Sequence, residues 1–259
     1  MPFLDVNGAR IRYQLSGPES RPTLVFSNSL GTDLAMWDPQ VATLSRDFCV
    51  LCYDTRGHGQ SSVTAGPYSL ELLADDVVEL LRCLHLGSVC FCGLSMGGMT
   101  GMSIATRRPQ LLTKLILCNT APKIGSADTW NTRIQTVCSG GMQSVVGGIL
   151  ERWYTSSFRA ACPDAIDETK RTLLSTAPEG YVACCGAIRD ADLREAIRGI
   201  AVPTLIMTGA HDPVTTPADA HFMNRRIAGS TYVELSAAHL SNIEAAEAFT
   251  RNLMNFLKA

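Results

Sequence analysis

Hydrophobic and polar positions along the chain follow two rhythms. Five stretches are continuously apolar or nearly so: TLVFS (Thr23 to Ser27), CVLCYD (Cys49 to Asp54), SVCFCG (Ser88 to Gly93), KLILCN (Lys114 to Asn119) and TLIMTG (Thr204 to Gly209). TYVELS (Thr231 to Ser236) follows them. Continuous apolar runs of strand length suit a parallel sheet covered on both faces. ARIRYQL instead alternates apolar and polar residues after an Asn7-Gly8 turn, which predicts a hairpin at the start of the chain.

Helical spacing fills the intervals. Leu70, Leu73, Val77, Leu80, Leu81 and Leu84 share one helical face, with Ser69 as N-cap and Gly87 closing the helix. Met99 to Arg107 continues the pattern after a glycine-rich turn, and Ile243 to Leu257 reads as a terminal amphipathic helix. Strand–helix alternation of this kind predicts an α/β doubly wound fold. The alternation stops from about Lys123 to Arg189, where ADTWNTRIQTVCSGG, VVGGILERWYTSSF, DAIDETKRTLLST and EGYVACCGAIRD read as short helices. The expected organisation is therefore a core over 1–122 and 190–259, with a helical cap over 123–189 inserted between strands.

Composition adds little beyond ordinary globularity: 259 residues, 46% hydrophobic and 18% charged, with a formal net charge of -2. Nothing in that balance points to nucleic acid or to a membrane surface. No run reaches the roughly 18 apolar residues of a membrane span, and the N-terminus lacks a basic start followed by an apolar run. The expectation is a cytoplasmic protein. Its ten cysteines mostly sit inside apolar runs, where a free thiol behaves as a small hydrophobe. No cysteine or histidine spacing suggests a metal site, and no cofactor is expected.

The candidate chemistry centres on GLSMG, Gly93 to Gly97, a G-x-S-x-G pattern between an apolar strand and a helical run. That is the setting of a nucleophile elbow, in which a serine on a tight turn stands at the carboxyl end of the sheet beside a helix N-terminus. Ser95 needs a base, and the base needs an orienting acid. His239 lies just past the last strand, and Asp212 just past TLIMTG; the position after KLILCN carries Asn119 and offers no carboxylate. The order Ser95, Asp212, His239 suits this fold. For the oxyanion, the expected donors are the backbone N–H of Met96 and that of Leu30 in SNSLGTDLAMW, with Ser29 as competitor. DTRGHGQSS, from Asp54, reads as a structural loop beside the site.

GLSMGG, DTRGHGQS, TGAHDPVTTP and AAHLSN, in that order, resemble the α/β-hydrolase family over nearly the full chain. That resemblance implies a mostly parallel eight-stranded sheet flanked by helices, with a helical lid. LVFSNSLGTDLAMWDPQ, which has Asn28-Ser29 where the family usually has His-Gly, together with YDTRGHGQS and TWNTRIQTV, resembles the 3-oxoadipate enol-lactonases within it. This likeness implies hydrolysis of a small, carboxylate-bearing enol-lactone in bacterial breakdown of protocatechuate and catechol. It also implies a cation or a hydrogen-bond donor in the pocket. Trp130 and Arg133 lie three apart on one lid helix and are the candidates to wall the pocket and meet the carboxylate. Arg152 and Trp153 are rivals for the same task. Small-ester esterases, carbon–carbon hydrolases of ring-fission products and non-enzymatic ligand sensors share this scaffold. The carbon–carbon enzymes commonly carry His-Gly-Gly-Gly, which SNSLG lacks.

Overall fold

Asn7 and Gly8 both take positive φ (45° and 75°), the backbone of a two-residue hairpin turn, and they join β1 (Phe3–Val6) to β2 (Ala9–Ser16). The structure, a computed structural model, describes residues 2–259. After the hairpin come β3 (Thr23–Ser27), α1 (Asp38–Leu44), β4 (Cys49–Tyr53), α2 (Leu70–Cys83), β5 (Val89–Leu94), α3 (Met96–Arg107) and β6 (Leu112–Cys118). Five helices then precede the next strand: α4 (Ala127–Gly140), α5 (Gln143–Trp153), α6 (Ser156–Ala161), α7 (Pro163–Ser175) and α8 (Pro178–Asp190). The chain ends with β7 (Thr204–Gly209), α9 (Pro217–Arg226), β8 (Thr231–Leu235), α10 (Ser241–Glu244) and α11 (Ala246–Lys258).

The strands form one eight-stranded sheet in the order β1-β2-β4-β3-β5-β6-β7-β8. β1 and β2 pair antiparallel, β2 meets β4 antiparallel, and every other pairing is parallel. All residues of β4, β5 and β7 are buried, which is why these strands read as unbroken apolar runs. Trp37 stacks on Phe26 of β3 at 4.4 Å and meets Phe249 of α11 at 6.1 Å, fastening one helical layer to the sheet. No helix among the described residues is long and apolar enough to cross a membrane.

Two helix ends differ from the sequence reading. Gly87 does not close α2. The helix ends at Cys83, and His85 takes the left-handed conformation (φ 54°) while the amides of His85 and Leu86 donate back to Arg82 O and Leu81 O. Gly87 belongs to the loop entering β5. The terminal helix is split at Ala245 (φ −120°, ψ 41°), because Glu244 turns inward to accept from the amides of Ala238 and Thr155.

The loop after β4 is locked from within. Asp54 is fully buried and accepts from the amides of Leu34 and Gln60 and from Arg12 Nη1. Arg56 pairs with Asp76 of α2. Gly57 (φ 77°) then meets Gly180 of α8 backbone to backbone: a Cβ on Gly57 would lie 2.7 Å from Gly180 Cα, and one on Gly180 2.2 Å from Gly57 O.

Candidate active site

Ser95 occupies the single residue between β5 and α3, with φ 55° and ψ −113°. A non-glycine residue there costs on the order of 1–3 kcal/mol and persists only when its surroundings dictate it. Here they do. Ser95 N–H donates to Cys118 O at 3.0 Å, and Thr120 Oγ1 donates to Ser95 O at 2.7 Å. The neighbouring glycines are required by close approach. A Cβ on Gly93 would sit 2.1 Å from Gly97 O, and one on Gly97 would sit 2.1 Å from Ser27 O.

His239 and Asp212 come together on the loops after β8 and β7. His239 Nδ1 lies 2.8 Å from Asp212 Oδ2, and both side chains are almost wholly buried. The carboxylate is saturated. Oδ1 accepts from the amides of Val214 (2.7 Å) and Thr215 (3.1 Å), and Oδ2 also accepts from Thr215 Oγ1 (2.7 Å) and Asn119 Nδ2 (2.9 Å). Burial alone would raise the Asp212 carboxyl. The His239 charge and the bonds from His239, Asn119 and Thr215 outweigh it and hold the group below the usual carboxylate value. With Asp212 taking Nδ1, the other ring nitrogen, Nε2, is the one left to act as base. Ser95 and His239 line the same cavity without a hydrogen bond between them; such contacts commonly tighten when substrate is bound.

Asn119, set aside in the sequence for lack of a carboxylate, sits at the centre of this network. It stands at the end of β6 with φ 42°, donates from Nδ2 to Asp212 and to Ala238 O (3.1 Å), and accepts at Oδ1 from Ser241 Oγ. One side chain thus ties the acid to the Ala238 carbonyl before His239 and to the Ser241 hydroxyl after it. A neutral amide gives no signal in the sequence at a position where the chemistry calls for a carboxylate.

The loop after β3 faces Ser95 with Ser29 and Leu30. Asn28 fixes it: Nδ2 donates to Tyr53 O, and Oδ1 accepts from Trp37 Nε1, each at 2.9 Å. Asp54 holds the next turn through Leu34 N, in keeping with a scaffolding role for DTRGHGQSS. Within that motif His58 is wholly buried, its Nε2 has no partner, and burial drives its pKa down to about 4, so the ring is neutral.

Ser95, His239, Ser29 and Leu30 open onto a cavity of about 230 Å³. Helices α4, α5 and α8 supply much of the remaining wall. Trp130 and Arg133 are there, and so are their sequence rivals Arg152 and Trp153. The rivalry dissolves because two helices converge on one cavity. Arg133 Nη1 donates to Tyr181 OH at 3.1 Å and its guanidinium lies 5.8 Å from the Trp130 ring centre. Trp130 Nε1 donates to Ile124 O, and Trp153 lies 6.3 Å from the His239 ring. Burial, then the neighbouring Arg133 charge, push the Arg152 pKa down. Two close cations with no carboxylate between them make an environment for an anion.

Eight strands in this order, with a serine where β5 gives way to α3, place the chain in the α/β-hydrolase family, to which it belongs; a family model described as alpha/beta hydrolase fold matches residues 22–139. Within that family it groups with the 3-oxoadipate enol-lactonases. It is 40% identical over 255 residues to 3-oxoadipate enol-lactonase 2 of Acinetobacter baylyi, covering 98% of this chain and 96% of that protein. It is 39% identical over 252 residues to enol-lactonase 1 of the same organism, covering 97% and 94%. The crystal structure of the enol-lactonase from Burkholderia xenovorans LB400 is 44% identical, with a TM-score of 0.98 and complete coverage of both chains.

Proposed function

We propose that this chain hydrolyses 3-oxoadipate enol-lactone to 3-oxoadipate through an acyl-enzyme, in the cytoplasm, within bacterial breakdown of aromatic compounds. Ser95 Oγ attacks the lactone carbonyl while His239 Nε2 takes its proton, and Asp212 holds the ring and stabilises its charged form. The amides of Met96 and Leu30 receive the oxyanion. The ring C–O bond breaks, the enol oxygen leaves with the proton from His239, and the enol becomes a ketone. Water, deprotonated by the same nitrogen, then attacks the acyl carbon and frees Ser95. No cofactor enters this cycle.

The observation that carries the reading is the pair Arg133 and Arg152 on the cavity shared by Ser95 and His239. A neutral ester has no use for two cations; a lactone bearing a carboxylate does. The cavity is smaller than the roughly 300–1,000 Å³ that holds drug-sized ligands, which suits a small substrate. The helices over 123–189 act as the lid that excludes water from the acyl-enzyme.

The test is steady-state turnover on 3-oxoadipate enol-lactone beside a neutral lactone and p-nitrophenyl acetate. The enol-lactone should lead in kcat/KM by orders of magnitude. Arg133→Ala and Arg152→Ala should each lower its kcat/KM by about 30-fold or more, roughly the 2 kcal/mol of a charge-assisted bond. Equal turnover of the neutral ester would replace the named substrate with a small-ester esterase reading.

A further inference from the structure

A second cavity, of about 500 Å³ and more open to solvent, lies between α5, α6 and the loop that carries Asp212. It shares Arg152 and Pro213 with the inner cavity, so Arg152 stands in the wall between the two. Its other walls bring Arg159 of α6, His211 and the hydroxyls of Ser156 and Ser157, together with Glu151, while Glu244 lies behind the wall, bonded to the lining residues Thr155 and Ala238.

Most arginines that leave full solvent in this chain have found a partner. Arg12 pairs with Asp54, Arg56 with Asp76, Arg107 with Asp75 and Arg189 with Asp190. Arg152 and Arg159 are half-buried, and among the described residues neither guanidinium makes a hydrogen bond or an ion pair. Arg159 Nε is shut away from solvent with no acceptor. A buried charged donor left unsatisfied is costly, and its usual remedy is an anion or water. The two carboxylates beside these arginines pair elsewhere or not at all: Glu244 is taken up by Thr155 and Ala238, and Glu151 bonds to neither guanidinium.

We infer that the outer cavity is an anion-binding vestibule, in which Arg159 receives the carboxylate of an incoming substrate and passes it to Arg152 at the inner wall. This rests on the reading that the substrate carries a carboxylate. Its ligand class is a small aliphatic carboxylate. Its contribution is capture, since Arg159 does not line the cavity that holds Ser95.

The experiment compares the wild type with Arg159→Gln and Arg159→Lys, on the enol-lactone and on p-nitrophenyl acetate, between low and high ionic strength. Glutarate serves as a competitor of the neutral ester. Arg159→Gln should lower the enol-lactone to neutral-ester ratio of kcat/KM by about 3- to 10-fold, through KM, and flatten its salt dependence. Arg159→Lys should keep the salt dependence, and glutarate should inhibit Arg159→Gln more weakly than wild type. An unchanged ratio and salt slope in Arg159→Gln would overturn the vestibule, as would an equal loss on both substrates. If the wild type shows no preference for the enol-lactone, the substrate reading fails first. The glutarate comparison then still decides the anion site by itself.

Discussion

Replacing Asn119 probes the network behind His239 from a residue that carries no charge. Asn119→Ala removes the donor to Asp212 Oδ2 (2.9 Å) and to Ala238 O (3.1 Å), and it strands Ser241 Oγ. The bond to the carboxylate is worth about 1.5–3 kcal/mol, and each buried group left unpaired costs a further 1–3 kcal/mol or so. Alanine must also hold φ 42°, which adds about 1–2 kcal/mol that Asn119→Gly does not incur. We therefore expect Asn119→Ala to lose about 5 kcal/mol in urea unfolding, near the low end of those terms together, and Asn119→Gly about 1 kcal/mol less. Asp212 keeps four other donors, including His239, so kcat should fall only about tenfold, or 1.4 kcal/mol. Asn119→Asp separates charge from shape. The new carboxyl, buried against Asp212, would hold its proton more tightly folded than unfolded, so its stability deficit grows as pH rises from 4 to 8, whereas that of Asn119→Ala changes only at the acid end, where Asp212 without the Asn119 bond takes up its proton. Wild-type stability and kcat in Asn119→Ala, or a deficit in Asn119→Asp that does not change with pH, would refute the reasoning.

Other outcomes follow from the same geometry. Ser95→Gly should abolish turnover yet raise stability by about 1 kcal/mol or more in thermal or urea unfolding, because glycine relaxes the φ of 55° that serine is made to hold. Buried His58 has a folded pKa of about 4 against an ordinary 6.5, so the unfolded chain takes up the proton first as pH falls. That one residue should cost about 2 kcal/mol of stability between pH 7 and pH 5, and His58→Gln should show a correspondingly shallower pH slope.

The sheet was legible where its strands are buried on both faces. TLVFS and TLIMTG coincide with β3 and β7 residue for residue, since strands buried on both faces, apart from Thr23 at the start of β3, have no reason to alternate. The G-x-S-x-G turn was legible because backbone passes so close to its glycines that any Cβ there would sit about 2.1 Å from a carbonyl oxygen, a demand no other residue meets. Helix ends were less so. His85 ends α2 in a conformation glycine usually supplies, and Ala245 breaks the last helix because Glu244 is needed across the loop at Ala238. Asn119 is silent in the sequence, since a neutral amide announces no chemistry until Asp212, from 93 residues further on, arrives beside it. Periodicity put Trp130 with Arg133, and Arg152 beside Trp153, on separate helices. It carried no information about two helices meeting over one cavity.

The contact of Gly57 with Gly180 bears on how this scaffold can change over generations. Neither position can acquire a side chain without lifting α8 from the sheet domain. Lifting α8 carries away Tyr181, which steadies Arg133, and Ile188, which walls the cavity. A lineage adapting to a new acid or ester is thus free to vary α4 and α5, where single substitutions resize the cavity. The seam under α8 is inherited whole, and a library built to diversify this enzyme wastes its members there.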